Sequence, residues 1–223
     1  MIKKIRIGVL VSGQGTDLQS IIDASEQGII DACVVVVITD KKDAYALQRA
    51  KQHTISSFFV DGKGKTKIDQ ENEIDAILRK QKIDLVVGAG YMRLLSIEFV
   101  KKWKGKLINI HPALLPSFKG TNGQNDALSY GVKITGCTTH FMDEEMDHGP
   151  IILQAAVQVL QNDDRNSLAK RILDVEHQIL PRTIQLFAEN RLKIEGRKVR
   201  ILPGASWKDT QKIIPGVLYS EGY

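Results

Sequence analysis

The run Ile5-Arg6-Ile7-Gly8-Val9-Leu10-Val11-Ser12-Gly13-Gln14-Gly15-Thr16-Asp17-Leu18 begins as a buried strand and ends as a helix. Ile5–Ser12 is nearly all apolar and β-branched, the pattern of a strand covered on both faces. From Asp17 to Ala24 the apolar residues Leu18, Ile21 and Ile22 recur at helical spacing. A strand passed to a helix through a glycine turn is the repeating unit of parallel sheets, and the pattern recurs downstream. Strands are predicted at Cys33–Thr39, Ser56–Val60, Ile83–Gly88 and Leu107–His111, the last cut off by Pro112. Helices are predicted at Ala44–Gln52, Ile68–Lys80 and, capped by Ser96, through Lys102, with a polar loop at Asp61–Lys65. This order predicts an α/β fold with a doubly wound, mostly parallel sheet and right-handed crossovers.

Beyond Pro112 the texture changes. A loop, Ala113–Gly123, leads to a short helix at Asn125–Tyr130 closed by Gly131. Lys133–Met142 and Ile151–Leu160 alternate as strands around the acidic loop Asp143–Pro150, which predicts an appended antiparallel pair. The cluster Asn162–Asp164 caps a long C-terminal helix running to about Glu189 and kinked near Pro181. Leu192–Tyr223 reads as a basic hairpin followed by a poorly patterned end.

Composition narrows the function classes. The 223 residues are 43% apolar and 26% charged, which fits one globular α/β domain and disfavours disorder. The net charge of +5 could suggest a nucleic-acid binder, but from Arg191 onward seven Lys/Arg face three Asp/Glu, so +4 of it lies in the tail. The first 190 residues are nearly neutral and carry no basic stripe, so no nucleic-acid partner is expected. Cys33 and Cys137 lie in apolar β-branched runs and read as buried, reduced thiols without metal spacing. The apolar run after Lys3, Lys4 and Arg6 is too short for a signal peptide, and no stretch approaches a membrane span. A soluble cytoplasmic protein without a membrane partner is expected.

Three features carry chemistry. The turn Ser12–Asp17 can present backbone amides and a helix N-terminus to an anion, though it also fits a tight turn with Thr16 or Asp17 capping the helix. It lacks the Gly-Lys-Ser/Thr of a P-loop and the third glycine of a dinucleotide loop. If it binds phosphate, the Asp17 carboxylate must turn away and cap while its amide binds. Asn109 and His111 share one face at the carboxyl end of the last parallel strand, where doubly wound sheets bind ligands. In the acidic loop, Asp147 differs from Glu144 and Glu145 because Gly149-Pro150 turns the chain at once into a strand. A carboxylate beside His111 favours its cation, and an Asn amide with a His cation can hold an oxyanion. That set suits acyl transfer to an amine. His53, His140, His148 and His177 carry less signal, and no metal site is expected.

The runs Leu107-Ile-Asn-Ile-His-Pro-Ala-Leu-Leu-Pro-Ser-Phe-Lys-Gly120 and Asp147-His-Gly-Pro-Ile-Ile-Leu-Gln154 resemble the signature of folate-dependent formyltransferases. Ser12-Gly-Gln-Gly-Thr-Asp-Leu-Gln19 and Ala89-Gly-Tyr-Met-Arg-Leu-Leu95 narrow the resemblance to the phosphoribosylglycinamide formyltransferases, over about Ile5 to Glu189. The resemblance implies a Rossmann-like formyltransferase fold. It also implies transfer of a formyl group from the co-substrate 10-formyltetrahydrofolate to glycinamide ribonucleotide in purine biosynthesis, without a metal. Asn109, His111 and Asp147 match the family's catalytic trio. Gly15, Thr16 and Asp17 match its ribotide phosphate loop, and Glu176 a helix glutamate that contacts the ribotide. Met92, Arg93, Leu94 and Leu95, with Asp143, Asp147 and Asn109, match the folate cleft, and Lys67 loosely matches a basic residue near the folate glutamate tail. Three positions depart from the pattern: Asn122 stands for a frequent His, Leu173 for a frequent Gln or Lys, and Asp17 for a common Asn.

The expected organisation is a catalytic domain over residues 1–190 and a basic extension over 191–223. Its ribotide half would span about 1–105 and its folate half about 106–190. A monomer or homodimer is expected, with an acidic loop that orders on folate binding about a hinge at Gly149. The alternatives are a 10-formyltetrahydrofolate hydrolase, a formyltransferase for tRNA or a sugar, and a non-enzymatic binding module on the same fold. The short chain and the phosphate loop disfavour the first two, and the trio disfavours the third.

Overall fold

In the computed structural model, which describes residues 4–204 and 214–223, sixteen elements alternate along the chain. They are β1 (Ile5–Leu10), α1 (Thr16–Glu26), β2 (Ala32–Thr39), α2 (Tyr45–Gln52), β3 (Ser56–Phe59), α3 (Lys67–Lys80), β4 (Leu85–Gly88), α4 (Ile97–Lys102) and β5 (Leu107–His111), then α5 (Gly123–Tyr130), β6 (Ile134–Phe141), β7 (Ile151–Gln158), α6 (Arg165–Ala188), β8 (Leu192–Glu195), β9 (Lys198–Ile201) and β10 (Leu218–Tyr219). The strands form one sheet in the order β3-β2-β1-β4-β5-β6-β7-β9-β8, with β10 also paired to β7. β1 to β5 are parallel, whereas β5/β6 and β6/β7 are antiparallel. The doubly wound sheet with an appended antiparallel pair and a long C-terminal helix is therefore present.

Alternation along the strands makes two cores. Ile7, Val9 and Val37 face the layer containing α1 and α6, while Leu10, Val36 and Ile38 face α3 and α4. Gly8 in β1 allows α3 to approach, since a Cβ there would come within 2.5 Å of Leu78 Cδ2. Strand order reverses between β1 and β4, so a crevice opens at their carboxyl ends. Ser12, just past β1, donates its N–H to the carbonyl of Gly90 just past β4 (3.0 Å), which joins the two loops.

α6 runs unbroken through Pro181, and its second half is almost wholly buried. Its start follows the sequence: Asp164 is the N-cap and exchanges hydrogen bonds with Ser167. Two expectations are corrected. Cys33 is only partly buried, in the half-buried stretch Cys33–Val35 of β2, whereas Cys137 is buried. Gly149 is no hinge: a Cβ there would overlap the carbonyl of Phe141, so the glycine serves a tight crossing of two backbones. The segment expected as an extension adds β8, β9 and β10 to the same sheet; residues 205–213 of its end lie outside the described residues. No helix among the described residues is long and apolar enough to cross a membrane.

Candidate active site

A cavity of about 350 Å³ lies at the carboxyl end of β5, bounded by the loop 90–95, the loop after β5, the acidic loop and α6. Its lining contains Asn109, His111 and Asp147, and also Asp17, Met92, Arg93, Leu94, Leu95, Asp143 and Glu176. Residues far apart in sequence thus meet where the strand topology predicts a ligand.

His111 ends β5 and is buried. Its Nε2 lies 2.8 Å from the Phe118 carbonyl oxygen, and its Nδ1 lies 3.4 Å from Asp147 Oδ2. The same carboxylate oxygen accepts the Gly120 N–H at 2.8 Å. Asp147 itself has φ +47°, a left-handed conformation that non-glycine residues seldom adopt, so the fold spends strain to aim this carboxylate.

Asn109 is oriented from the next strand. Its Nδ2 lies 3.3 Å from His140 Nε2, and the two residues are cross-strand partners in the β5/β6 register. The His140 Nδ1 lies 3.0 Å from the Phe141 carbonyl, an acceptor, so Nδ1 carries the proton and Nε2 accepts from the amide. Burial lowers the His140 pKa below its ordinary value and keeps this neutral tautomer. One N–H of Asn109 is thereby used, and the other remains for the cavity. Sequence reasoning passed over His140 because its role depends on register; pairing β5 antiparallel with β6 was the signal that could have found it.

The opposite wall suits a flat, partly apolar ligand. Met92 and Leu94 are each 59% exposed and Met146 50%, an apolar rim around polar backbone. The loop 90–95 is tied at both ends: the Met92 N–H donates to Ser12 Oγ (2.9 Å), and Glu71 of α3 accepts from the Ser96 N–H (2.7 Å) and its hydroxyl. Asp143 is held by His148 Nδ1 at 2.8 Å, and the Arg197 guanidinium reaches both. Lys67 is exposed at the start of α3 and does not line the cavity.

The glycine turn adjoins the cavity only through Asp17; Gly15 and Thr16 do not line it, and Thr16 lines a separate cleft with Gln19, Arg49 and His177. Gly15 takes φ +68° and is the N-cap of α1, which has no side-chain cap hydrogen bond. The expectation that Asp17 or Thr16 caps the helix is therefore wrong. The left-handed glycine starts the helix one residue before Asp17, and the Asp17 carboxylate points instead toward α6. The first-turn amides of Thr16, Asp17 and Leu18 have no intrahelical partner, which leaves them for an anion. Arg49 of α2, also missed from sequence, fastens the turn by donating to the Gln14 carbonyl (2.8 Å) and to Gln19 Oε1 (3.0 Å). Asn122 begins α5 and bonds Asp126 (3.1 Å) rather than facing the cavity, and half-buried Leu173 is likewise outside it. Among the described residues no group of three His, Cys, Asp or Glu side chains converges as metal ligands would.

Comparison with known proteins agrees with this geometry. The model of the formyl transferase family matches residues 5–184. The chain is 42% identical over 193 residues to the trifunctional purine biosynthetic protein adenosine-3 of Homo sapiens, spanning 86% of this chain but only 19% of that protein. It is 41% identical to the phosphoribosylglycinamide formyltransferase of Haemophilus influenzae, over 85% of this chain and 90% of the relative. Among solved structures, glycinamide ribonucleotide transformylase 1 from Symbiobacterium toebii superposes with a TM-score of 0.89 at 46% identity, covering 91% of this chain and 96% of that one.

Proposed function

The chain belongs to the formyl transferase family, and from that premise we propose that it transfers the formyl group of 10-formyltetrahydrofolate to the amine of glycinamide ribonucleotide. The products are formylglycinamide ribonucleotide and tetrahydrofolate, in purine biosynthesis. The observation that carries this reading is the convergence of Asn109, His111 and Asp147 in one cavity, with Asp17 of the α1 start at one side and an apolar rim at the other.

In this reading the amides of Gly15, Thr16 and Asp17 hold the ribotide phosphate and Glu176 contacts the ribotide. The pterin lies against Met92, Arg93, Leu94, Leu95 and Asp143, with Lys67 serving the glutamate tail outside the cavity. The neutral amine attacks the formyl carbon, a C–N bond forms, and the carbonyl oxygen becomes an oxyanion. The free N–H of Asn109 and the charge of His111 stabilise it. The Phe118 carbonyl lies 2.8 Å from one His111 nitrogen and the Asp147 carboxylate 3.4 Å from the other, so both edges of the ring face oxygen acceptors. Asp147 takes the proton released by the new ammonium, and the folate N10 gains one as its bond to carbon breaks and the C=O reforms. The setting is cytoplasmic, in keeping with the free thiols of Cys33 and Cys137.

Incubation with 10-formyltetrahydrofolate, with and without glycinamide ribonucleotide, tests the proposal. Loss of formyl-folate that requires the ribotide is expected; ribotide-independent loss, or none, overturns it. Asp147→Asn is expected to lower kcat by about 10²-fold or more, and His111→Ala to act similarly. Normal turnover in Asp147→Asn would remove Asp147 from the proton path.

A further inference from the structure

The ribotide end of the cavity holds two carboxyl groups that the transfer chemistry does not use. Asp17, the second residue of α1, places Oδ1 fully out of solvent with no hydrogen-bond partner. Glu176 of α6 is 6% exposed and lines the same cavity. The nearest base is His177, whose Nε2 lies 3.8 Å from Asp17 Oδ1 and is itself buried without a hydrogen bond. Among the described residues no lysine or arginine pairs with either carboxyl. Two buried carboxylates without a cation cannot both remain charged at low cost.

We infer that Asp17 and Glu176 share a proton, and that the ribotide is captured by this protonated pair and repelled by its dianion. The inference rests on the ribotide reading above and concerns the position where an acid stands for the family's common Asn. A phosphate on the first-turn amides would lie beside Asp17, so its negative charge and a second carboxylate compete for the same helix end. A pair that keeps one proton offers a ribose both a donor and acceptors; a pair that loses it offers repulsion.

The surroundings point the same way. Burial raises the Asp17 pKa to about 7, and burial together with the charge of Asp17 raises Glu176 well above the carboxylate range. Burial lowers His177, with Arg49 of α2 acting in the same direction and Asp174 and Asp23 against it, so the imidazole supplies no lasting cation. On β6 the Cys137 thiol feels both carboxyls; burial, Glu176 and Asp17 push it up, and it stays neutral. A group whose folded pKa is raised keeps its proton to higher pH, so the pair still holds a proton above the ordinary carboxylate range.

The test compares wild type with Asp17→Asn. If only the protonated pair binds, the wild-type KM for glycinamide ribonucleotide rises about tenfold per pH unit above the titration. This component is expected to vanish in Asp17→Asn, while kcat at saturating ribotide is followed separately. The phosphate and amine of the substrate titrate alike with both proteins, so the difference belongs to the pair. The same pH-dependent rise in both proteins would overturn the inference. A second measurement does not depend on the variant: calorimetry of ribose 5-phosphate binding, above the pH at which the wild-type KM begins to rise, in buffers of different ionisation heat. Net proton uptake by wild type is expected, and its absence would overturn the inference. Wild type that neither binds nor formylates the ribotide at any pH would instead overturn the functional reading itself.

Discussion

His140 illustrates how much of this site is positioned by residues that never meet a substrate in the proposed reaction. It holds Asn109 by one hydrogen bond, and its tautomer is set by the Phe141 carbonyl. His140→Phe keeps the ring packed in the core but removes the acceptor. We expect kcat to fall by about tenfold to a hundredfold, with KM for both substrates and Tm little changed, as for a group that orients a donor by fractions of an ångström. A KM effect without a kcat effect would contradict this. Asp17 is the other case, and it has a stability signature. Its folded pKa of about 7 lies above its ordinary value, so it favours the fold at acid pH, and this contribution is lost as pH rises toward neutrality. Asp17→Asn should therefore raise Tm more at pH 8 than at pH 5, checked by thermal melts. The placement of Asn109 and His111 on one face of a strand end was legible from alternation, and Asp147 stood out only by the Gly149-Pro150 turn after it; that the three line one cavity is seen in the structure. The direction of Asp17 was not legible, because a helix-start carboxylate usually caps, and only the left-handed Gly15 removes that role.

At the level of elements, the boundaries follow local chemistry closely. Ser96 accepts from the Phe99 N–H and starts α4, Gly131 closes α5 in the left-handed region, and the Asn162–Asp164 cluster opens α6. Asp163 adds a non-helical anchor: its carboxylate takes two hydrogen bonds from Arg171, 2.7 and 2.9 Å, and one from the Leu160 N–H at 2.7 Å. The Arg171 guanidinium holds its pKa well below the usual range. A depressed carboxylate stabilises above the ordinary Asp pKa, and the gain is lost as pH falls below it. Asp163→Ala is thus expected to lower Tm by several degrees at pH 7, with the deficit shrinking toward pH 3 in a melt series. An equal deficit at both pH values would argue against the ion pair as its source. Gly149 marks the limit of local reading. A glycine before Pro150 in an acidic loop looks like a hinge, yet the crossing with Phe141 makes it a point of close backbone contact. That contact sets Gly149 against Phe141 at the end of β6, across the base of the same loop, and is not visible from the adjacent residues alone.

For the whole molecule, the strands after α6 matter beyond their small size. The turn between β8 and β9 brings Arg197 to His148 (3.1 Å) and Asp143 (3.7 Å), so the acidic loop is braced from the far edge of the sheet. The end of the chain returns along β7, where Ser220 and Gln154 exchange hydrogen bonds, and Tyr219 donates to Gln178 on α6, two residues after Glu176. Arg197→Ala should speed amide exchange over residues 143–147 and raise KM for the folate a few-fold, leaving KM for the ribotide unchanged. Unaltered exchange in that loop would remove the brace. The +5 charge also takes its place here. Part of the basic tail is structural, and the positive potential expected for anionic substrates comes from the amides at the start of α1 and from single side chains.

The sequence by itself determined the alternation of strands and helices, and it pointed to the carboxyl end of β5 as the place where a ligand is expected. These follow from periodicity, caps and side-chain chemistry that act within a few residues. Only the tertiary structure decided that His140 lies against Asn109, that Arg197 reaches the acidic loop, and that Asp17 and Glu176 line one cavity as buried carboxyls. Each of those depends on sheet register or helix packing between segments 31 to 159 residues apart, and burial, which sets their charge, exists only once those segments have met.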